Sequence, residues 1–284
     1  MKLPIPMPIK LRCPICYEPL SSEKRGAACQ NNHQFDRARQ DYLNLLPSHK
    51  KRSKSPGDDQ VMVDARARFL NHGHYQPVVD VLIDKISTFS NKTNQNILDA
   101  GCGEGYYTSA IKNRIEGSEV CGFDIAKPAI LAASKRNKNI EWLVASVSAL
   151  PLMDGQFDTI ISIFSRTDWS EFSRVLKPGG HIVILTPGQN HLLALRNAIY
   201  DEVRPYPEDK RLQDLPGNFH LLESQTVRAT MMLDSPQAIM DLLTMTPHYW
   251  HVNIAQKQQL EQLDQLECEL EMRLSVIQKK SDPL

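Results

Sequence analysis

No stretch of this sequence approaches the ~20 consecutive apolar residues that a membrane-spanning helix needs. The N-terminus, Met1-Lys-Leu-Pro-Ile-Pro-Met-Pro8, places prolines where a secretory leader requires an apolar helix. A cytoplasmic protein without membrane contact is expected. Net charge is also lacking, with 33 Lys/Arg against 33 Asp/Glu, so the molecule as a whole has no attraction for a polyanion. Cysteine is sparse, six in 284 residues, which excludes a disulfide-built scaffold. At 41% hydrophobic residues the chain can bury an ordinary core, as one large domain or a domain with appendages.

The neutrality hides an asymmetry. Residues 1–56 carry eleven Lys/Arg and four Asp/Glu, a local charge of +7, which leaves −7 on the remainder. A basic N-terminal region on a neutral chain points to an anionic partner met by that region, or to a solvated surface. Within it, Cys13-Pro-Ile-Cys16 is followed after twelve residues by Cys29 and after three more by His33. This C-x2-C-x12-C-x3-H pattern has the spacing of a tetrahedral zinc site. Four protein ligands leave no position for water, so the metal is expected to be structural and to supply much of the folding energy of a small module. Cys102, Cys121 and Cys268 have no partner at ligand spacing; the first two read as small core residues and Cys268 as a helix residue. Ser48 to Asp59, with Lys50, Lys51, Arg52 and Lys54, reads as a polar loop suited to phosphates or as a plain linker.

The most informative stretch is Asn96-Ile-Leu-Asp-Ala-Gly-Cys-Gly-Glu-Gly-Tyr-Tyr-Thr108. A short apolar strand is followed by Gly101, Gly103 and Gly105 and then by a helical period, the layout that brings backbone close to a cofactor at a helix N-terminus. Dinucleotide sites space their glycines as G-x-G-x-x-G. Here the third glycine comes one residue early, and Glu104 inside the loop would repel a pyrophosphate. A carboxylate there suits a ligand that carries an ammonium and a sulfonium. Val120-Cys-Gly-Phe-Asp124 ends a second strand in a carboxylate placed for two ribose hydroxyls, and Asp99 lies two residues before the first glycine. These residues together resemble the class I S-adenosylmethionine-dependent methyltransferases.

Further motifs sharpen the resemblance. Leu43-Asn-Leu-Leu-Pro47, Ser55-Pro-Gly-Asp58, Ala65-Arg66 with Phe69-Leu70 and Gly73-His-Tyr-Gln-Pro77, Val175-Leu-Lys-Pro-Gly-Gly180 and Thr186-Pro-Gly188 with His191-Leu192 follow the zinc cluster in one order. From about Cys13 to about Trp250 the chain is similar to the bacterial 23S rRNA (guanine-N1)-methyltransferases. The resemblance implies an α/β class I (Rossmann-like) methyltransferase fold with a mainly parallel central sheet and a small N-terminal zinc-binding domain. It also implies S-adenosylmethionine as cofactor and a hairpin of 23S rRNA as partner. Expected segments are 1–46 for zinc and RNA recognition, 47–73 for a basic linker and helix, and 74–284 for the methyltransferase domain. Tyr75 and His191 match family residues that contact the cofactor, which adds them to Asp99, Gly101, Gly103, Glu104 and Asp124.

Some positions depart from expectation. Ser146 stands where class I enzymes often carry an acid for the adenine amine, and backbone is the alternative there. Phe164-Ser-Arg follows the apolar run 157–163, at the place where amino-directed enzymes carry Asn/Asp-Pro-Pro-aromatic and the family a Tyr-Ala-Pro turn. The catalytic residue is therefore unknown, with Asp168, His191 and bulk water as candidates for the N1 proton. Residues 171–176 read as a helix stopped by Lys177-Pro-Gly-Gly180, and 191 to about 203 as another. Residues 261–271, with Leu263, Leu266 and Leu270 at helical spacing, read as packing or as the contact of a homodimer. The alternatives to the rRNA enzyme are a methyltransferase for another RNA, a small molecule or a protein, and a catalytically silent assembly factor.

Overall fold

The computed structural model describes residues 9–23, 25–47, 53, 55–89, 95–207 and 210–281. The basic positions Lys50, Lys51, Arg52 and Lys54 lie outside them. The chain opens with a three-stranded antiparallel sheet, β1 (Ser21–Glu23), β2 (Gly26–Ala28) and β3 (Gln34–Asp36). A further short strand, β4 (Tyr42–Asn44), leaves that sheet for another. Helices α1 (Gln60–Asn71) and α2 (Gln76–Thr88) follow. The Asp59 carboxylate caps α1 by accepting from the Met62 N–H at 2.9 Å.

The α/β body runs β5 (Asn96–Ala100), α3 (Tyr106–Arg114), β6 (Glu119–Asp124), α4 (Lys127–Arg136), β7 (Glu141–Val144), β8 (Phe157–Ile163), α5 (Trp169–Val175) and β9 (Leu176–Pro187). It closes with α6 (Leu193–Ile199), α7 (Lys210–Gln213), β10 (Phe219–Leu233), α8 (Pro236–Thr244), α9 (Ile254–Glu261) and β11 (Leu266–Lys279). The large sheet has the order β10-β11-β9-β8-β5-β6-β7-β4. Only β11 runs against its neighbours β9 and β10; the pairings from β9 across to β4 are parallel. The order reverses between β5 and β8, and at such a switch point an open α/β sheet forms its ligand crevice.

Period-2 alternation divides the core. In β5, Ile97 packs on one face with Val120, Trp142 and Ile161, while Leu98 and Ala100 pack on the other with Phe123, Leu143 and Ile160. The second face is closed in an unusual way. Residues 145–156, between β7 and β8, contain no helix, and the N-terminal segment lies along them. Leu11 bridges Leu152, the Arg12 N–H donates to the Pro151 carbonyl at 3.1 Å, and Gln156 bonds both backbone groups of Lys10 at 2.8 Å. Ile9, Leu11, Cys13, Leu20 and Ala27 share one core with Phe123 and Leu143. The zinc segment is thus built into the body, and β4 extends the main sheet.

Three sequence expectations need correction. Residues 261–271 do not form one helix: α9 stops at Glu261 and β11 begins at Leu266. Leu266 and Leu270 share the period of 4 that a helix reads as one face, yet an even spacing also falls on one face of a strand. Cys268 is accordingly a buried strand residue. Lys177-Pro-Gly-Gly180 is part of β9 rather than a turn after a helix, with Gly180 packed under Leu176. The helix after His191 is short, ending at Ile199. Among the described residues no helix is long and apolar enough to cross a membrane.

Leu43 tests the shared core. It is fully buried in β4, in register with Leu143. Leu43→Ala should cost about 2–5 kcal/mol, read as a lower urea midpoint of the main unfolding transition in zinc-loaded protein. A tethered, independent zinc module would leave that transition where it was.

Candidate metal centre and active site

The four predicted metal ligands converge. Cys13 and Cys16 flank a turn closed by the Tyr17 N–H donating to the Cys13 carbonyl at 2.9 Å, and Asn32 N–H to the Cys29 carbonyl at 3.0 Å closes the second. Tyr17 and Asn32 both take left-handed backbone, with φ of 64° and 61°. The ligand atoms lie within 4.8 Å of one another. Cys13 Sγ and Cys29 Sγ stand 3.5 and 3.4 Å from His33 Nδ1, and Cys16 Sγ is 3.6 Å from Cys29 Sγ. Ligands at zinc–sulfur and zinc–nitrogen bond lengths define tetrahedron edges of roughly 3.4–3.8 Å, so the set fits zinc. The sulfurs are too far apart for a disulfide.

The glycine loop lies at the carboxyl ends of β5 and β6. Gly101, Gly103 and Gly105 all have positive φ, at 81°, 56° and 81°. A side chain on Gly101 would collide with Ser165, and a Cβ on Gly105 would come within 2.7 Å of the Trp142 ring. Asp124 fastens the loop: its two oxygens accept from the Gly103 N–H at 3.0 Å and the Ala126 N–H at 2.8 Å. Asp99, 2% exposed, accepts from the Thr108 hydroxyl at 2.6 Å. Burial pushes its pKa up to about 7 against the opposing pull of that hydrogen bond. Burial raises Glu104 and Asp124 as well.

Glu104 is also 2% exposed, and its Oε1 has no hydrogen-bond partner; Arg136 Nη2 stands 3.6 Å away. A buried acceptor left unmade costs ~1–3 kcal/mol, and a ligand ammonium would satisfy it. The donor-hungry carboxylate, the side-chain-free loop and the ribose-height Asp124 therefore fit S-adenosylmethionine.

Tyr75 is 2% exposed at the N-terminus of α2, packed edge-on against Phe69 with ring centroids 5.8 Å apart. Its hydroxyl feels Arg66 and Tyr206. The structure thus sets Asp99, Gly101, Gly103, Glu104 and Asp124 together at the carboxyl ends of β5 and β6, with Tyr75 buried at the start of α2. His191 lies farther along, past β9. Its ring is 5.7 Å from Phe164 and 6.3 Å from Tyr206. It is buried, with Nδ1 unpartnered, and burial takes its pKa down to about 3. Phe164 at the end of β8 is 44% exposed in left-handed backbone, φ 52°. Asp168 caps α5 through one oxygen: Oδ1 accepts from the Glu171 N–H at 3.2 Å and the Ser170 hydroxyl at 2.6 Å. Ser146 pairs with Ser148 at 3.0 Å.

The sequence reading missed three members of the crevice. Thr108 anchors Asp99. Ser165 packs on Gly101 and hydrogen-bonds the Ala100 carbonyl and Ser162. Arg66 lies over Gly103, 3.8 Å from where a Cβ there would sit. Its signal was present: Met62, Val63, Phe69 and Leu70 are the buried face of α1, and position 66 falls between them on the same face. Arg68 points elsewhere, in a fork to Asp241 at 3.0 and 2.6 Å.

Two outcomes check the site. The purified protein should hold one zinc per chain by elemental analysis, and Cys16→Ser should lose it together with stability. His191 should stay neutral through the physiological range, with no ring titration by NMR between pH 5 and 8. Its folded pKa lies below the ordinary ~6.5, so the unfolded chain takes the proton first. The stability it contributes is complete above that value and is lost as pH falls toward 3. His191→Asn should therefore flatten the acid limb of a urea-midpoint profile.

The family model described as RlmA, N-terminal, a zinc ribbon, matches residues 11–54, and a methyltransferase domain model matches residues 97–180. The 23S rRNA (guanine(748)-N(1))-methyltransferase of Streptomyces fradiae is 33% identical over 244 residues, 85% of this chain and 86% of its own length. A Bacillus subtilis (strain 168) protein named "Putative 23S rRNA (guanine-N(1)-)-methyltransferase" is 33% identical over 248 residues, 84% and 86% of the two chains. Among solved structures, "a putative methyltransferase" from Bacillus halodurans C-125 superposes with a TM-score of 0.52 at 16% identity, over 70% of this chain and 99% of that one; at that identity it speaks for the fold. With a zinc-ribbon model and a methyltransferase-domain model both matching, and a relative aligned over most of both chains, this chain belongs to the 23S rRNA (guanine-N1)-methyltransferase family.

Proposed function

We propose that this protein transfers a methyl group from S-adenosylmethionine to N1 of a guanine in a hairpin of 23S rRNA, in the cytoplasm. The observation that carries the reading is the alignment with the Streptomyces fradiae enzyme over 85% of this chain, beside the zinc-ribbon match to residues 11–54. An enzyme for a small molecule has no use for the zinc module. A silent assembly factor has no use for a loop that keeps three left-handed glycines and an unsatisfied buried carboxylate.

When bound, the cofactor supplies a methyl group already activated on a sulfonium. The residues of the chain supply alignment and exclusion of water. Glu104 and Asp124 bind and orient from the ends of β5 and β6, and Tyr75 closes the crevice from α2. Within a paired stem the N1 edge of guanine is hidden, so the base is extruded or already unpaired. Phe164, Arg166 and His191 at the ends of β8 and β9 border the space for it. N1 must lose a proton, and a general acceptor works best with a pKa near the operating pH. His191, depressed to about 3, orients the base as a neutral hydrogen-bond partner. The proton passes to water.

The test is methylation of 23S rRNA fragments with labelled cofactor, followed by mapping of the modified base. Label on N1 of one guanine in a hairpin is expected; label on an exocyclic amine, or none, would overturn the reading. Neutralising Lys50, Lys51, Arg52 and Lys54 should weaken RNA affinity and leave cofactor affinity unchanged. Each lost phosphate contact should also flatten the slope of log affinity against log salt by somewhat less than one. Identical slopes in wild type and variant would move the RNA surface away from this segment.

A further inference from the structure

The crevice has a charge imbalance that the glycine-loop reading leaves open. Asp99, Glu104 and Asp124 act on one another there, and a cofactor whose amino-acid end bears a carboxylate would add a fourth negative group. Such a group cannot enter without a cation facing it. Two guanidinium groups act on Glu104, those of Arg66 and Arg136. Arg136 is turned toward the rim: its Nε donates to the Glu104 carbonyl at 3.2 Å and its Nη1 to Asn71 Oδ1 at 2.8 Å. Arg66 is turned inward. It lies over Gly103 and acts on both Glu104 and Asp124.

We propose that Arg66 binds the α-carboxylate of S-adenosylmethionine, opposite Glu104 on the ammonium. The inference rests on the cofactor reading of the glycine loop and extends it to a residue on α1. Arg66 is preset for the task. Nη1 donates to Asp58 Oδ2 at 2.5 Å and Nη2 to the Met245 carbonyl at 3.0 Å. These bonds hold the plane of the guanidinium while leaving further N–H groups of its five for a carboxylate. Burial disfavours its charge, but Asp58 outweighs burial and keeps the group firmly protonated. Asp58 in turn is held in place. Asp59 caps α1, and Gly57, with φ of 81°, lies so close to α4 that a Cβ would come 2.8 Å from the Ala126 Cβ. Asp58, just ahead of α1, therefore places Arg66.

The test compares two ligands that differ in the amino-acid end. S-adenosylhomocysteine carries the carboxylate, and 5′-methylthioadenosine has the same nucleoside and sulfur without it. Calorimetry on the full, zinc-loaded chain is expected to show Arg66→Gln weakening S-adenosylhomocysteine by about tenfold or more, the range for a hydrogen bond to a charged partner, with methylthioadenosine within about twofold. Arg66→Lys, which keeps charge but not the fork, should fall between. It carries the comparison if the glutamine variant fails to fold. Equal losses for both ligands would make Arg66 a structural residue and overturn the proposal, as would unchanged S-adenosylhomocysteine affinity. Wild-type protein that binds neither ligand would overturn the cofactor reading itself.

Discussion

Carboxylates held out of water at the ends of β5 and β6 are the constraint to which the rest of this molecule answers. Asp99 and Glu104 are each 2% exposed, and burial raises both toward the neutral form. Thr108 reaches back from α3 to anchor Asp99, two loop amides hold Asp124, and Arg66 comes in from α1. Glu104 alone keeps an unmet acceptor. A neutral apolar crevice would be cheaper to fold, and the cost is intelligible for a site that binds a cation-bearing ligand.

The zinc module bears on that crevice through the sheet. Because no helix covers the sheet between β7 and β8, Ile9, Leu11 and Leu20 supply the missing apolar layer, and β4 adds a parallel edge beside β7. Zinc then does more than fold some thirty residues. The module it holds covers one face of the sheet whose β5 and β6 ends carry the glycine loop. The segment that follows caps α1 through Asp59 and positions Arg66 through Asp58. Metal module and cofactor loop share one packed body rather than forming modules on a string.

The backbone just past β8 is strained. Phe164 holds a left-handed backbone, a conformation costing of order 1–3 kcal/mol and kept where surrounding structure imposes it. Ser165 imposes it here, locked to the Ala100 carbonyl and packed against Gly101. The strained aromatic thereby faces solvent beside His191.

Sequence by itself determined whatever depends on local spacing. Cys13, Cys16, Cys29 and His33 converge because each pair belongs to one turn, and Gly101, Gly103 and Gly105 tolerate positive φ because they lack a Cβ. Periodicity likewise placed β5 and β6, whose apolar runs have few other uses. It failed where two periods share a multiple, so Leu266, Cys268 and Leu270 read as helix although β11 pairs them with β10. Long-range packing alone decided the rest. The placing of Arg66 over Gly103 and of Leu11 beside Leu152 depends on partners dozens of residues away that no local pattern encodes.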